Sequence, residues 1–380
     1  MKKILLGTTT LVGVALLAGA ASAETPKVTL GGVADFQAGF VSEDNDANER
    51  SGAFKSDTEL MFDIAGVADN GLKYGGHVTL EADANDDVDS QGTNAARTYL
   101  YMEGAWGRAQ MGSDLGVTNT MKIDASRIAR ATGGIDGDFT YFGVNTNTPG
   151  NNIVIGTPDL LIDYGAGQLG DESSENINKL SYYTPRFSGF QAGVSYLFDS
   201  TGADRGQTIS RADNTTGEAE NVFLWAANWE GKFDQVGIRV GGTGEWGSSE
   251  DAANEDLRTW QAGAELAFMG FKLAGSYGSW GDSLTVKTAN TDDRHFWTLG
   301  GAYEYGPYGM SVTYLDSTLE EAANVDNEFN NIAVGVDYKL APGFTPYAEV
   351  SFFEIDGGQG TGLAEDNDGT VFIVGSTLAF

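Results

Sequence analysis

Hydrophobic and polar residues alternate along most of the chain with a period of two. In VTLGGVADFQAGF, at 28–40, Val28, Leu30, Phe36 and Phe40 fall on one face, and polar residues or glycines occupy the other. The same alternation recurs in LKYGGHVTLE, FQAGVSYLF, NIAVGVDYKL and FTPYAEVSFF. Successive side chains of a β-strand point to opposite sides. The pattern therefore predicts strands with one apolar face each.

The connections between these strands are of two kinds that alternate along the chain. Tight turns are predicted at 68–71, 105–107, 187–189, 232–235, 268–270, 305–309 and 341–344. Longer, mostly acidic loops are predicted near 43–49, 85–93, 115–177, 199–219, 248–256, 281–293, 317–328 and 356–368. Seven turns and eight loops separate sixteen strands.

Sixteen antiparallel strands with short turns at one end and long loops at the other are typical of an outer-membrane barrel. Lipid offers no hydrogen bonds, so a sheet that crosses it must close on itself. The predicted fold class is all-β, a 16-stranded antiparallel transmembrane β-barrel. A secreted β-sandwich or propeller would also alternate, but no fixed repeat period supports a propeller.

The first 23 residues have the layout of a cleaved secretory signal peptide. Lys2 and Lys3 precede an apolar stretch from Ile4 to Ala20, and Ala21-Ser22-Ala23 is a small-residue cleavage site. A membrane anchor would need about 20 strongly apolar residues, and threonines and glycines dilute this segment. We therefore expect an exported protein whose barrel domain spans 24–380.

Acidic residues dominate the charge and cluster in the loops. The formal net charge of −32 becomes −34 once the two N-terminal lysines are removed. So acidic a chain does not bind nucleic acid through its net charge. DANDDVD, at 83–89, resembles the start of a calcium-binding loop through Asp83, Asn85 and Asp87. Val88 and Asn94 stand where that motif needs Gly and Glu, so only weak Ca²⁺ binding on the acidic loops is expected, with no other cofactor.

An enzymatic function finds little support in the residues. Histidine occurs only at His77 and His295, cysteine is absent, and no GxSxG motif is present. A membrane hydrolase with a Ser-His site remains the enzymatic alternative, but His77 has the parity of the barrel interior and His295 lies in a loop. We expect no enzymatic activity.

Several segments resemble the general, non-specific porins of Gram-negative bacteria, with a character closest to those of α-proteobacteria. These segments are NKLSYYTPRFSGFQAGVSY (178–196), ARTYLYMEGAWGRAQMGSD (96–114), the opening strand and the terminal Phe380. The resemblance implies a homotrimer in the outer membrane, in contact with its lipid and lipopolysaccharide. It also implies short periplasmic turns, long extracellular loops, and a third loop, about 115–177, that folds inward and narrows a water-filled channel.

Charged side chains at the narrowest part set the selectivity of such a channel. Parity alone points Asp35, Glu59, Lys73, Arg97, Arg108, Lys179, Arg239, Glu265, Asp337 and Glu349 into the lumen. Members of this family carry a pore-facing Arg on the fourth strand, and Arg97 matches that position. Their second strand often carries Arg as well, whereas this chain has Glu59 on its second strand. The third loop adds Lys122, Asp124, Arg127, Arg130, Asp136, Asp138 and Asp163. We expect MKIDASRIAR (121–130) to form a short helix that exposes its three basic residues.

The predicted function is passive diffusion of ions and small hydrophilic solutes, with weak cation preference because the mouth loops are acidic. A substrate-selective channel is the main alternative, although Tyr99, Tyr101, Tyr183 and Tyr347 form no obvious ladder in the sequence. An adhesion protein that uses the barrel as an anchor is a third possibility. The resemblance implies that Phe380 is the signal that the outer-membrane assembly machinery reads.

Overall fold

A computed structural model describes residues 25–44, 50–82, 95–142, 156–164, 177–200, 217–289, 294–322, 325–357 and 366–380. The predicted signal peptide lies outside these ranges. Within them sixteen antiparallel strands form one closed barrel, which confirms the predicted fold class. The strands are β1 (Lys27–Glu43), β2 (Gly52–Val67), β3 (Lys73–Glu81), β4 (Ala95–Gly104), β5 (Gly107–Ser113), β6 (Asn178–Tyr183), β7 (Phe190–Asp199), β8 (Ala219–Phe233), β9 (Val236–Ser249), β10 (Leu257–Phe268), β11 (Phe271–Ser279), β12 (Arg294–Tyr305), β13 (Tyr308–Ala322), β14 (Val325–Tyr338), β15 (Phe344–Asp356) and β16 (Asn367–Ala379).

The barrel closes where the last strand pairs with the first. β1 pairs with β2 on one side and with β16 on the other, where Val33 lies opposite Ala379. Phe380 extends this pairing: its backbone N–H donates to the Gly32 carbonyl at 3.1 Å, and its own oxygen accepts from the Gly32 N–H at 3.0 Å. Every described strand therefore has two neighbours, and none presents an open edge.

The outer surface of the barrel is apolar, as the alternation predicts. On β16, Phe372, Val374 and Leu378 are more than two-fifths exposed, whereas Ile373 between them is 1% exposed. Phe54 on β2 reaches 77% exposure. A soluble protein would bury such side chains. Their outward position suits a barrel whose outer solvent is lipid.

Aromatic side chains group near both ends of the strands. At the end with the short connections, which we call the turn end, the ring pairs are Trp106–Tyr182, Phe190–Trp229, Phe271–Tyr303 and Tyr308–Tyr338. At the opposite end, the loop end, they are Trp225–Trp246, Trp260–Tyr277 and Trp297–Tyr314. Two such belts match the two interfaces of a bilayer.

One predicted loop is wrong, and so is the expected loop position of His295, which lies on β12. β13 continues to Ala322 and β14 starts at Val325, so only residues 323–324 separate the strands where 317–328 was expected to be a loop. Ser317 and Leu319 are each 1% exposed, and Asn327 and Phe329 are 5% and 2% exposed. The alternation thus persists through the acidic stretch, because this hairpin still has a covered inner face.

The connection from β5 to β6, called loop 3 below, folds into the barrel. Its described residues form α1 (Val117–Met121), three 3-10 turns (Ala125–Ile128, Gly134–Asp136 and Asp138–Tyr141) and α2 (Leu161–Tyr164). The single helix predicted over 121–130 is wrong. Lys122 adopts an extended backbone that ends α1, and the Asp124 carboxylate accepts a hydrogen bond from the Arg127 N–H to start a separate turn. None of the described helices is long and apolar enough to cross a membrane.

A hydrophobic core lies inside the barrel, between loop 3 and the wall. Loop 3 contributes Val117, Ile135, Phe139, Leu160 and Ile162, each at most 1% exposed. The wall contributes inward-facing residues that include Leu197, Leu224, Phe296, Leu315, Phe329 and Ile373. Burying each large aliphatic or aromatic side chain is worth about 1.5–3 kcal/mol, so this core fixes loop 3 against the wall.

Candidate channel constriction

Loop 3 follows the inner wall from β7 round to β2. Between Val117 and Asp138 its residues hydrogen-bond to Ser195 on β7, Thr298 on β12, Ser311 and Thr313 on β13, Glu349 on β15 and Gln37 on β1. Asp138 then reaches Lys55 on β2, with 3.3 Å between its Oδ2 and the ammonium. The channel therefore has loop 3 on one side, and on the other side the lumen faces of β3, β4 and β5.

The second helix of loop 3 is held by a carboxylate from the wall. Glu245 on β9 is fully buried and accepts hydrogen bonds from the backbone N–H groups of Ile162 at 3.1 Å and Asp163 at 3.2 Å. The Thr259 hydroxyl on β10 donates to the same carboxylate at 2.7 Å. These N–H groups belong to the first turn of α2, where backbone N–H groups have no hydrogen-bond acceptors within the helix. Glu245 thus anchors the later part of loop 3.

Two of the predicted channel bases lie on the uncovered wall, each beside an acid. Lys73 on β3 is 3.0 Å from Glu103 on β4, and their side chains are 58% and 35% exposed. Arg97 on β4 has its Nε 3.8 Å from Asp114 Oδ1, where loop 3 starts. Lys73 lies at the turn end and Arg97 near the loop end, so the wall carries mixed charge along its length.

A cation–aromatic stack lies between these two pairs. The Arg108 guanidinium on β5 is 4.2 Å from the centre of the Tyr101 ring and 5.9 Å from that of Tyr99. Tyr99 in turn stacks on His77 at 5.3 Å. The His77 Nδ1 is 2.7 Å from an Asp63 carboxylate oxygen. Such contacts are worth about 0.5–2 kcal/mol each, and they fix Arg108 against the wall.

Three carboxylates converge on the lumen face of β2 and β3. Ligand oxygens of Asp57, Glu59 and Glu81 lie within 4.8 Å of one another, and Glu59 is 4% exposed. Carboxylate oxygens of this kind are the ligands that Ca²⁺ prefers. Of these three, Glu81 directly precedes the predicted calcium ligands along the chain. Those ligands, Asp83, Asn85 and Asp87, lie outside the described residues.

Lys122, Asp124 and Asp136 form a buried ionic cluster inside loop 3. The Lys122 ammonium lies 3.0 Å from Asp124 and 3.8 Å from Asp136, and also contacts Asp159. The four side chains are at most 5% exposed, so the predicted exposure of Lys122 is wrong. Burial alone would lower the pKa of Lys122, but attraction to Asp124 and Asp159 outweighs it and raises the pKa above its ordinary value. The cluster joins the two halves of loop 3.

The other two basic residues of loop 3, Arg127 and Arg130, also form hydrogen bonds with specific partners. The Arg127 guanidinium donates to the backbone oxygen of Asn119 and, at 2.8 Å, to its side-chain oxygen. Arg130 donates from Nε and Nη2 to both oxygens of Asp337 on β14, at 2.6 and 2.8 Å, and from Nη1 to Glu304 on β12 at 2.5 Å. Partial burial would lower the pKa of Arg130, but Asp337 and Glu304 raise it above its usual range. Arg130 is therefore a permanent cation that crosses from loop 3 to the wall.

Asp138 links loop 3 to the first two strands. Its carboxylate accepts hydrogen bonds from the Gln37 amide and from Lys55. The Lys55 ammonium also lies 4.1 Å from the centre of the Tyr141 ring. Lys55 was not among the predicted site residues, although its place in KSDTELMF gives it lumen parity. Asp57, Asp63, Glu81 and Asp114 were not among the predicted site residues either, although each has lumen parity.

Comparison with known proteins agrees with this geometry. The family model described as Gram-negative porin matches residues 7–358. Outer membrane porin protein 32 of Delftia acidovorans is 32% identical over 359 residues, covering 90% of this chain and 89% of that protein. An uncharacterised protein of Rickettsia conorii is 25% identical over 407 residues, covering 87% of this chain and 90% of that protein.

Solved structures share the fold at low identity. The anion-selective porin from Comamonas acidovorans superposes with a TM-score of 0.62 at 20% identity, covering 93% of this chain and all of that one. The outer membrane protein OmpT of Vibrio cholerae, described as its trimer form, superposes with a TM-score of 0.60 at 14% identity, covering 94% of this chain and all of that one. Both matches extend over nearly the whole barrel.

Proposed function

This chain belongs to the Gram-negative porin family, and we propose that its channel passes ions and small hydrophilic solutes without selecting one of them. It is an outer-membrane channel for passive diffusion of small solutes. The observation that carries the non-selective proposal is the alternation of charge on the uncovered wall. Lys73 pairs with Glu103, and Arg97 pairs with Asp114, so the described residues of this wall form no track of a single sign.

Planar-bilayer recording tests this proposal. A non-selective channel gives a conductance that rises in proportion to bulk salt. A conductance that saturates, or that one solute blocks at low concentration, would contradict it. No conductance at all would leave the barrel as an anchor for an adhesion protein.

A substrate-selective channel is the second candidate, and one observation favours it. The Arg108 guanidinium lies over the Tyr101 and Tyr99 rings, and its Nε is buried without a hydrogen-bond partner among the described residues. A guanidinium fixed on aromatic rings suits a carboxylate-bearing solute. Block of the wild-type current by a small aromatic carboxylate, absent in Arg108→Ala, would favour this candidate.

We also propose a weak preference for cations. On β2 to β5 together with Asp114, the described residues of lumen parity comprise four cations and six carboxylates. The cations are Lys55, Lys73, Arg97 and Arg108; the acids are Asp57, Glu59, Asp63, Glu81, Glu103 and Asp114. A net negative wall raises the local concentration of cations. A reversal potential in a KCl gradient that shows a preference for anions would contradict this proposal.

The constriction residues fall into two groups in this proposal. Arg97, Arg108 and Lys73 stand on the uncovered wall and act on passing solutes, and Asp138 acts from loop 3, where it reaches Lys55 on β2. Glu59 is 4% exposed and contributes its charge through the carboxylate cluster with Asp57 and Glu81. Lys122, Asp124, Asp136, Arg127 and Arg130 hold loop 3 in its shape. The second group then affects selectivity only through the position of the loop.

The chain assembles as a homotrimer in this proposal, as the trimer form of the Vibrio cholerae relative suggests. We further propose that the outer face contacts outer-membrane lipid and lipopolysaccharide, and that the assembly machinery reads Phe380. Phe380 is 63% exposed although its backbone is paired with Gly32, so its ring is open to a partner. The native mass of the detergent-purified protein tests the trimer.

We propose that the channel has no enzymatic activity. His77 lies between Asp63 and the Thr79 hydroxyl, at 2.7 and 2.8 Å, in the order of a catalytic triad. Thr79 is only 2% exposed, so its oxygen is closed to a substrate. Hydrolysis of a soluble ester by the purified protein, lost in His77→Ala, would contradict the proposal. Weak Ca²⁺ binding at 83–87 stays a prediction, and calorimetric titration with CaCl₂ tests it.

A further inference from the structure

Glycines on the lumen face of the covered wall lie along the path of loop 3. A Cβ added to any of them would come within 3.3 Å of a loop 3 atom, which is tighter than ordinary van der Waals contact beginning at 3.4 Å. These positions, called the loop-facing glycines, are Gly193 on β7, Gly241 on β9, Gly263 on β10, Gly300 on β12, Gly335 on β14 and Gly39 on β1.

The loop-facing glycines meet loop 3 in the order of its own sequence. Gly193 lies against Val117 in α1, and Gly39 lies against the Phe142 ring, where the described residues of this part of the loop end. A lumen-facing glycine on the uncovered wall differs, because the atoms nearest to a Cβ on Gly75 of β3 belong to the neighbouring strands. The missing side chains therefore coincide with the places where the loop approaches the wall closely.

The tightest of these approaches is made by Ile123. Gly263 lies directly opposite Gly241 in the pairing of β10 with β9, and a Cβ on Gly263 would overlap the backbone oxygen of Ile123. A backbone atom cannot rotate away as a side chain can, so the main chain of loop 3 would have to move. Gly335 repeats the situation on β14, where a Cβ would lie 2.8 Å from the backbone oxygen of Arg130.

We propose that the loop-facing glycines set the size limit of the channel and are therefore its specificity-determining residues for hydrophilic solutes. The proposal rests on the proposed diffusion function, in which size decides which solutes pass. A side chain at one of these positions would displace loop 3 from the covered wall. The displacement is directed into the lumen in front of β3, β4 and β5, so the cross-section left for solutes would shrink.

Gly263→Ala is the most direct variant, because a single methyl group is enough to overlap Ile123. Gly237→Ala is its matched control. Gly237 shares the lumen face of β9 with Gly241, but the atom nearest to its Cβ would be the Ala267 Cβ, at an ordinary 3.5 Å. Both variants replace a strand glycine and restrict the unfolded chain in the same way, whereas only Gly263→Ala touches loop 3.

The test is swelling of proteoliposomes in arabinose, glucose, sucrose and raffinose, together with single-channel conductance in KCl. Rates relative to arabinose are independent of how much protein has inserted. Wild type and Gly237→Ala should give the same profile and conductance. Gly263→Ala should lose entry of sucrose and raffinose relative to arabinose, and its conductance should fall. A substitution that only destabilises the barrel would lower the inserted amount without changing the relative rates.

An unchanged profile in Gly263→Ala would overturn the proposal. So would faster relative entry of raffinose, because loop 3 would then have left the wall altogether. If Gly263→Ala does not insert, Gly39→Ala decides. Its profile should narrow, and adding Phe142→Ala should restore entry of the larger sugars by removing the ring that the new Cβ meets. A wild-type profile in Gly39→Ala would overturn the proposal.

Failure of the underlying function has a different signature. A wild-type protein that admits none of the four sugars would overturn the diffusion function itself. Wild-type entry of all four that is unchanged in Gly263→Ala and Gly39→Ala would leave that function intact and overturn only the role of the glycines.

Discussion

Replacing Lys122 with methionine would remove the cation that Asp124, Asp136 and Asp159 share. The Lys122 ammonium is 3.0 Å from Asp124 and 3.8 Å from Asp136, and its side chain is 1% exposed. Methionine has a similar length and fits an apolar pocket. The change therefore tests charge rather than packing, and it acts where the two halves of loop 3 meet.

The expected loss of loop stability is about 3–5 kcal/mol, the cost of leaving buried charges without their partner. The full figure applies because none of the four side chains is more than 5% exposed, so water does not screen the carboxylates. A loss of 3 kcal/mol corresponds to a more than hundredfold rise in the population of the open loop.

Hydrogen exchange on peptides covering 117–128 measures that population, with the protein in lipid vesicles. Loop 3 should exchange more than about a hundred times faster in Lys122→Met, and single-channel records should become noisier as the loop leaves the wall. The control is Lys73→Met, the same substitution at a lumen ion pair. The Lys73 side chain is 58% exposed, so this change should cost no more than about 1 kcal/mol.

Unchanged exchange of 117–128 in Lys122→Met would refute the reasoning. The loop would then be held by its hydrophobic core and by Glu245 alone. Equal acceleration in Lys122→Met and Lys73→Met would be as damaging, because burial would then not distinguish the two pairs.

Four further outcomes are expected. The pKa of Lys122 is raised above its ordinary value of 10.5. The contribution of Lys122 to loop stability is therefore complete below pH 10.5 and is lost as the pH rises through the higher folded pKa. Protection of loop 3 from exchange that falls between pH 7 and 9 would contradict this. Arg97→Glu should shift the reversal potential in a KCl gradient further towards cations, and an unshifted potential removes Arg97 from the constriction. Arg108→Ala should shift it in the same direction but less, since one positive charge is lost instead of a reversal of sign. Deleting Phe380 should reduce the amount of protein inserted in the outer membrane while the inserted channels conduct normally, and normal insertion would contradict its role as a signal.

The barrel could be predicted from the sequence because its cause is local. Each strand has lipid on one side and the lumen on the other, and this imposes the period of two on every strand. Composition was the weaker guide. The acidic stretch 317–328 has the character of a loop, yet Ser317 and Leu319 keep the alternation and belong to a long hairpin.

The arrangement of loop 3 could not be read from the sequence, because its partners are distant along the chain. Lys122 meets Asp159, 37 residues away, and Arg130 meets Asp337, 207 residues away. Nothing in MKIDASRIAR tells which of its charges is paired with such a residue and which faces water. Parity places Tyr99, Tyr101 and Arg108 in the lumen, but their stacking depends on the register between β4 and β5.

The pairing of β1 with β16 has a consequence for the order of events during biogenesis. β1 is synthesised before β16 but cannot complete its pairing until β16 is present, because Val33 lies opposite Ala379. Hairpins between neighbouring strands can form as the chain emerges, but the ring cannot be completed until synthesis and export of the last strand are finished. A chain truncated by a few residues would retain nearly all its sequence and still expose two sheet edges. The pairing of β1 with β16 is therefore the one contact that distinguishes a complete barrel from a truncated one.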